Sequence, residues 1–139
     1  MDRIKKLQST LENGCAYLVS SPENRRYLTE FPSSDGYVFV TKTEAVFLID
    51  SRYIEAAQKN AKGCTDIVML TSLSAQLPEI IENLGIKTVY TESEKLSVLE
   101  FCNFCKIIPC ECLAEKADDA INALRRRKSE TEKQKIHII

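Results

Sequence analysis

Asp50, Arg52 and Tyr53 bring a carboxylate, a guanidinium and a phenol together directly after an apolar run of the chain. A guanidinium can hold a carboxylate through two charge-assisted hydrogen bonds, and the end of a strand projects side chains into a cleft. In this interpretation Arg52 and Tyr53 contact a ligand, and Asp50 orients Arg52. A structural interpretation is equally open, because the same three residues can cap a helix, pair locally and pack the edge of a sheet.

A second set of chemically competent side chains consists of four cysteines in a Cys-x2-Cys-x4-Cys-x-Cys pattern: Cys102, Cys105, Cys110 and Cys112. Four thiolates are what a tetrahedral zinc site requires, but structural zinc sites usually separate two Cys-x2-Cys pairs by a longer loop. Cys102 and Cys105 also fall inside an apparent helix. We therefore expect small buried thiols, with a zinc site as the alternative.

Two further kinds of site have little support in this sequence. Catalysis by a cysteine and a histidine needs the two side chains close together, whereas the single histidine, His137, lies in the tail. The chain has only four glycines, and none of them belongs to a phosphate-binding loop. We therefore expect neither a nucleophilic cysteine enzyme nor a nucleotide site.

Composition narrows the class of protein. The chain has 139 residues, enough for one domain, and its 44% hydrophobic and 28% charged residues are typical of a globular fold. A net charge of -1 and scattered basic residues argue against a nucleic-acid partner, and residues 125–128 are expected to be a solvated helix face. No apolar run resembles a signal peptide or a membrane span. We expect a cytoplasmic chain with no membrane partner and with reduced cysteines.

The apolar pattern predicts that strands and helices alternate along the chain. The predicted helices cover residues 2–13, 23–28, 51–61, 73–83, 95–105 and 114–124, and the predicted strands cover residues 16–19, 37–40, 45–49, 67–70, 88–90 and 107–108. Such alternation favours an α/β domain with a mixed central β-sheet flanked by helices on both faces.

Two adjoining segments give more specific expectations. Residues 37–40 and 45–49 should form an antiparallel hairpin, and the second run should be covered on both faces because it is apolar without alternation. The helix before the hairpin should be capped by Ser21. Its Tyr27 and Leu28 should face inward, and its arginines should face solvent.

Three motifs in this region carry a resemblance to a known family. They are Asn24 to Phe31, Ser34-Asp35-Gly36, and Asp50-Ser51-Arg52-Tyr53. They resemble the Asn-x-x-Tyr-Leu-Thr-Gly-Phe, Ser-Asp-Gly and Asp-x-Arg-Tyr segments of the amino-terminal domain of the creatinase/prolidase family, which has a ribonuclease H-like fold. The chain departs from the family pattern at Glu30, where glycine is usual, and at Pro32-Ser33, so the loop before the hairpin should differ in shape.

The resemblance implies a non-catalytic half of a metal-dependent Xaa-Pro aminopeptidase or dipeptidase. In that family two divalent ions, manganese, cobalt or zinc, are held by a second domain and activate water. No residue of this chain matches a catalytic or metal-ligand position, so the chain alone should hydrolyse nothing. The implied partners are a second subunit in a homodimer and short proline-containing peptides, with Asp50, Arg52 and Tyr53 close to the substrate of the other subunit.

The resemblance also implies a division of the chain. Residues 1–124 match the amino-terminal domain, and residues 125–139 look like the connector and the start of the first helix of a catalytic domain. We expect the chain to be a fragment of a longer enzyme. The alternative is a stand-alone interaction or ligand-binding module with the same fold, and aminopeptidase, dipeptidase and creatinase-like activities stay open.

Overall fold

A computed structural model describes residues 3–33 and 35–126, which form one six-stranded mixed sheet with helices on both faces. The strands are β1 (Cys15–Val19), β2 (Tyr37–Thr41), β3 (Ala45–Ile49), β4 (Asp66–Met69), β5 (Thr88–Thr91) and β6 (Glu111–Leu113). The helices are α1 (Arg3–Gln8), α2 (Pro22–Thr29), α3 (Ile54–Asn60), α4 (Leu73–Asn83), α5 (Val98–Ile107) and α6 (residues 117–126). The predicted fold class is therefore confirmed.

The strand order is β4-β3-β2-β1-β5-β6, and β2 alone runs antiparallel to its neighbours. The predicted hairpin is confirmed, because Val38 pairs with Phe47 and Val40 pairs with Ala45 across β2 and β3. Every other strand points the same way, so the carboxyl ends of five strands lie along one edge of the sheet. We call this edge the carboxyl edge.

The sheet separates two hydrophobic cores. Along β3, Ala45, Phe47 and Ile49 enter the first core, whereas Val46 and Leu48 enter the second. Successive side chains of a strand point to opposite faces, so an apolar strand without alternation must be covered on both. The prediction for this strand is confirmed. The first core is completed by α1, α2, α3 and α6, and the second by α4 and α5.

The predicted last strand at residues 107–108 is wrong. Helix α5 begins at Val98 because Ser97 and Glu100 form a capping box, and it continues through Ile107. Ile108 is extended, as expected before Pro109, and packs into the second core. The sixth strand is instead Glu111–Leu113, which pairs in parallel with β5.

The first predicted helix is shorter than expected, and the last begins three residues later than expected. Helix α1 ends at Gln8 rather than residue 13, since the Thr10 hydroxyl bonds to the Leu7 carbonyl and offers the backbone an alternative to the helix. Leu11 is nevertheless buried in the first core. Helix α6 starts at residue 117, and the predicted connector beyond Arg126 lies outside the described residues.

Across residues 3–33 and 35–126, no helix has the length and apolar character needed to cross a bilayer.

Candidate functional site

The carboxyl edge collects polar groups from distant parts of the sequence. Ser20, Asp50 and Glu92 directly follow β1, β3 and β5, respectively. The antiparallel β2 contributes its first residue, Tyr37, to the same edge. In open α/β sheets, ligands bind in the crevice outside the carboxyl ends of the strands, so this edge is the natural place for a site.

Asp50 and Arg52 form a compact ion pair just beyond β3. Asp50 caps a 3₁₀ turn, Ser51–Tyr53, and its Oδ1 accepts a hydrogen bond from the Arg52 backbone N–H at 2.9 Å. The Arg52 guanidinium donates from Nη2 to Asp50 Oδ2 at 3.3 Å and from Nε to Oδ1 at 3.4 Å. Asp50 therefore both starts the turn and orients the guanidinium.

The electrostatics of this pair follow from the same contacts. The backbone and side-chain hydrogen bonds from Arg52 lower the pKa of Asp50, and the hydrogen bond to Asp50 raises the pKa of Arg52. The Arg52 side chain is 66% exposed, compared with 30% for Asp50. The pair stays charged at neutral pH, and Arg52 is presented to solvent.

Tyr53 has a different role from Arg52. It is half-buried and packs against the first core, and its ring centroid lies 5.5 Å from the Arg52 guanidinium carbon. The Tyr53 ring thus packs against the first core and contacts the turn through Arg52. Both interpretations of the motif are compatible with this geometry, since Asp50 caps, Tyr53 packs and Arg52 projects outward.

Arg25 lies where sequence reasoning did not place it. The prediction that both arginines of α2 face solvent is wrong for Arg25, which is 3% exposed, and holds for Arg26. Arg25 Nε donates to the Ser20 carbonyl at 3.0 Å, and Nη1 donates to Ser33 Oγ at 2.9 Å. Burial lowers the pKa of Arg25, while Asp35 and other nearby negative charges oppose that shift. Arg25 therefore joins the end of β1 to the loop before β2.

Gly36 is the local signal that could have revealed this burial. A Cβ on Gly36 would lie 3.3 Å from Arg25 Nη1 and 2.8 Å from the Leu48 carbonyl oxygen. Its φ of +143° is also one that side-chain-bearing residues rarely adopt. At Gly36 the backbone therefore lies unusually close to a buried guanidinium.

Glu30 shows the consequence of its departure from the family pattern. It ends α2 in the left-handed conformation, with φ of 56° and ψ of 29°, where glycine is favoured because it lacks a Cβ. Its carboxylate lies 3.7 Å from Lys62 Nζ in an exposed ion pair. The helix thus ends as a glycine would end it, at a cost of about 1 kcal/mol in backbone strain.

Glu92 is a second functional candidate that sequence reasoning missed. It is 1% exposed, and its Oε1 accepts hydrogen bonds from the backbone N–H of Ser20 at 2.7 Å and of Ser21 at 2.9 Å. Its Oε2 accepts from the Ser21 hydroxyl and from Asn24 Nδ2, the latter at 2.7 Å. The available signal was a single acidic residue directly after the strand Thr88–Thr91. Ser21 caps α2 as predicted, and Glu92 in turn fixes Ser21.

A cleft of about 360 Å³ opens between these groups. Its polar lining comes mainly from Arg25, Asp35, Tyr37, Asp50 and Glu100. Burial raises the pKa of the Tyr37 phenol, and Asp35 and Glu100 add to that shift while Arg25 opposes it. Of the three predicted site residues, Asp50 lines the cleft, whereas Arg52 and Tyr53 are not among the described lining residues.

The four clustered cysteines are not a buried group. Cys102 and Cys105 are exposed, because α5 turns Phe104 toward the second core, and Cys110 and Cys112 are half-buried. The expectation of buried thiols is wrong for the two helical cysteines. Among the described residues, no group of three or more His, Cys, Asp or Glu side chains is arranged to hold a metal ion, so the zinc alternative gains no support.

Known proteins with similar sequences are peptidases by name. The chain is 31% identical over 117 residues to a putative Xaa-Pro aminopeptidase of Mycoplasma pneumoniae, covering 84% of this chain and 31% of that protein. It is 30% identical over 115 residues to an uncharacterized peptidase of Bacillus subtilis, covering 83% of this chain and 32% of that protein. The chain thus spans about a third of the length of these relatives.

Solved structures agree with the sequence relatives. An aminopeptidase P from Streptococcus thermophilus superposes with a TM-score of 0.78 at 25% identity, covering 88% of this chain and 95% of that chain. An Xaa-Pro dipeptidase from Bacillus anthracis superposes with a TM-score of 0.71 at 25% identity, covering 79% of this chain and 32% of that chain. The family model of the creatinase/prolidase N-terminal domain matches residues 3–126. The chain therefore belongs to the creatinase/prolidase N-terminal domain family and resembles the amino-terminal part of Xaa-Pro peptidases.

Proposed function

We propose that this chain is the non-catalytic amino-terminal domain of a metal-dependent Xaa-Pro peptidase. In this role it contributes to dimer assembly and restricts access of substrate to the active site of the partner subunit. The observation that carries the proposal is Arg52, a guanidinium fixed by Asp50 and 66% exposed beside the carboxyl edge. The family match and the names of the relatives support the same assignment.

The chemistry of Arg52 suits capture of a short peptide. A guanidinium carries five N–H donors, and Asp50 engages two of its donor nitrogens, Nε and Nη2. The remaining donors are available to a carboxylate of a substrate peptide. Because the Asp50 contacts pre-orient the group, less conformational entropy is lost when the peptide binds.

The proposal assigns the reaction itself to a second domain. There, two divalent ions of manganese, cobalt or zinc would activate water for attack on the bond before proline. The part supplied by this chain is positioning and exclusion: only peptides short enough to fit beneath the carboxyl edge would reach the ions.

The test is Arg52→Ala in the full-length enzyme. We expect kcat/KM for a short Xaa-Pro peptide to fall by about ten- to one-hundredfold, the loss of one charge-assisted contact, with bound metal unchanged. Arg52→Lys should recover only part of the loss, because an ammonium cannot reproduce the bidentate geometry. An unchanged kcat/KM with Arg52→Ala would contradict the assigned role.

Lys62→Ala provides the matched control. Lys62 is also an exposed cation paired with a carboxylate, Glu30, but it lies before β4 and hence at the opposite edge of the sheet. We expect its removal to leave kcat/KM within about twofold of the parent enzyme.

Two observations on the gene and the assembled protein test the wider proposal. A second domain with two Asp, one His and two Glu metal ligands should be encoded downstream of Ile139, and light scattering should show a dimer of the full-length enzyme. Absence of that domain would instead favour a stand-alone interaction module.

A further inference from the structure

A second cavity adjoins the cleft at the carboxyl edge. It has a volume of about 250 Å³, and its lining includes Leu73 of α4 together with Phe104 and Ile107 of α5. We call it the α4–α5 cavity. Tyr37 and Glu100 line both this cavity and the cleft of about 360 Å³. The two cavities are therefore neighbours on one surface, and one small molecule can reach into both.

The Tyr37 ring forms the wall between the two cavities. It is half-buried and packs edge-on against Phe104, with the ring centroids 6.0 Å apart and an interplanar angle of 81°. Phe104 itself is buried in the second core. The wall is thus anchored in the folded interior, and the two cavities keep a fixed relation to each other.

The cleft carries an unbalanced negative charge. Its charged lining residues are Arg25, Asp35, Asp50 and Glu100. Asp50 is paired with Arg52, and Arg25 lies close enough to Asp35 for their charges to interact. One carboxylate charge therefore remains after these cations are counted. A cationic group is the kind of charged group that this cleft attracts.

The two carboxylates that face a ligand are accessible. Asp35 and Glu100 are both exposed. Glu100 accepts a hydrogen bond from the Ser97 backbone N–H at 3.3 Å through Oε1, as part of the capping box, and its Oε2 can accept from a bound cation. An ammonium group suits such a place because it has three N–H donors and no acceptor.

The α4–α5 cavity favours an apolar group. Leu73 and Ile107 are partly buried and pack against the second core beside Phe104. Each methylene group that a ligand buries against these side chains is removed from water, which favours binding. Ligand sites generally combine such an apolar lining with a few polar groups that fix orientation.

We propose that the cleft and the α4–α5 cavity together bind a small primary amine with an apolar body. The ammonium group donates hydrogen bonds to Asp35 and Glu100, and the apolar body lies against Phe104 between α4 and α5. Two sources carry this chemistry: a free hydrophobic amine and the amino-terminal residue of a peptide. The site is built from this chain alone, so it does not depend on the second domain of the proposed peptidase.

The test is a titration of the 139-residue chain with isoamylamine, followed by amide NMR at about pH 7 and low salt. We expect saturable shifts around Tyr37, Leu73 and Glu100, with a Kd of about 1 mM. Isoamyl alcohol keeps the apolar body without the charge, and methylamine keeps the charge without the body. Each should bind at least about tenfold more weakly than isoamylamine.

Leucyl-alaninamide separates the two sources of the ligand. It presents the same ammonium group and the same branched apolar body at the start of a peptide. Binding at least as tight as that of isoamylamine would assign the site to peptide amino termini. Weaker binding of the peptide, with isoamylamine still bound, would assign the site to free amines.

Three variants test the two halves of the site. Glu100→Gln keeps the capping box, since glutamine also serves at that position, and should weaken isoamylamine binding by about tenfold without affecting isoamyl alcohol. Glu94→Gln is the matched control, because Glu94 is exposed but is not among the described lining residues, and should stay within about twofold. Ser74→Phe fills the α4–α5 cavity from an exposed position and should reduce isoamylamine binding to the level of methylamine.

Far-ultraviolet circular dichroism checks that each variant keeps the parent fold. Equal binding of isoamylamine and isoamyl alcohol would overturn the proposal, as would equal losses in Glu94→Gln and Glu100→Gln, which would indicate a general effect of net charge. No saturable shifts in the parent chain, or shifts confined to another surface, would also overturn it.

Discussion

At the scale of single residues, Glu92 joins two distant parts of the chain. Its carboxylate receives hydrogen bonds from two backbone N–H groups, a hydroxyl and an amide, and so connects the end of β5 to the start of α2. A buried carboxylate is stable only when its lone pairs are satisfied, and here both oxygens are used. Glu92 therefore fixes the start of α2, the helix that carries Arg25 to the cleft.

Glu92→Gln tests this role. The amide nitrogen of glutamine would face groups that themselves donate, so at least one buried donor would lose its acceptor. We expect the free energy of unfolding to fall by about 2 kcal/mol, measured by urea denaturation. Glu94→Gln is the control, since Glu94 is exposed, and should stay within about 0.5 kcal/mol of the parent. Equal stability of both variants would contradict the role of Glu92.

Tyr37 gives a prediction about pH. Its pKa in the folded chain is raised above the usual 10.0, mainly by burial. Below that usual value both states keep the phenol proton. As pH rises through it the unfolded chain loses its proton first, so the folded state loses stability until the folded pKa is reached.

The measurement compares the parent chain with Tyr37→Phe by urea denaturation from about pH 9 upward, in steps. We expect the parent to lose stability more steeply than the variant once the pH passes the usual tyrosine value. Parallel pH profiles for the two proteins would show that the Tyr37 phenol is not shielded from water.

At the scale of elements, the entry into β2 depends on Gly36. The missing Cβ allows the backbone to lie against the Leu48 carbonyl of β3 and beside Arg25 of α2. Three elements, α2, β2 and β3, therefore meet at Gly36. Because Gly36 also lines the cleft, its conformation helps to set the position of the cleft wall.

Gly36→Ala should be costly for two separable reasons. Gly85→Ala is the control, because Gly85 has a φ of +66° but open space within 4 Å of the position that a Cβ would take. The control should lose about 1 kcal/mol from backbone strain alone. Gly36→Ala should lose a further 1–3 kcal/mol, roughly the cost of overpacking, in the same urea titration. Equal losses would mean that the contact with Leu48 is relieved cheaply.

The ends of the helices show where local sequence patterns are sufficient to predict the structure. The bounds of α4, Leu73–Asn83, follow from its apolar spacing and the following Gly85, and the capped start of α2 follows from Ser21-Pro22. The capping box of Ser97 and Glu100 sets the start of α5, and Pro109 limits its end, so the helix extends to the last position that the proline permits.

At the scale of the whole molecule, one sheet serves two cores. Phe47 is fully buried in the first core and Phe39 in the second, on adjacent strands. Because the same strands contribute to both cores, a substitution that destabilises one core should also destabilise the other.

Phe39→Ala and Phe47→Ala test this coupling. Each should lower the free energy of unfolding by about 3–5 kcal/mol through lost burial and a residual cavity. Each variant should still unfold in a single transition, with far-ultraviolet circular dichroism and tyrosine fluorescence coinciding. Separate transitions in either variant would show that the faces unfold independently.

Patterns among near neighbours in the chain were sufficient to predict the α/β class, the hairpin, the double-sided burial of β3 and the family motif around Asp50 and Arg52. Each of these depends on the period of apolar residues, on helix caps or on turn residues. The Asp50–Arg52 pair could be predicted for the same reason, since its two residues are only two positions apart in the sequence.

The folded arrangement was needed to show that Arg25 and Glu92 are buried, that Cys102 and Cys105 are exposed, and that the sixth strand is Glu111–Leu113. A charged side chain on a short helix is normally solvated, and Arg25 is buried here because the Ser20 carbonyl and the Ser33 hydroxyl accept its hydrogen bonds. Glu92 lies 71 positions from Ser21 along the chain, yet the parallel pairing of β1 with β5 places them in contact. Such partnerships depend on strand order, which no local pattern encodes.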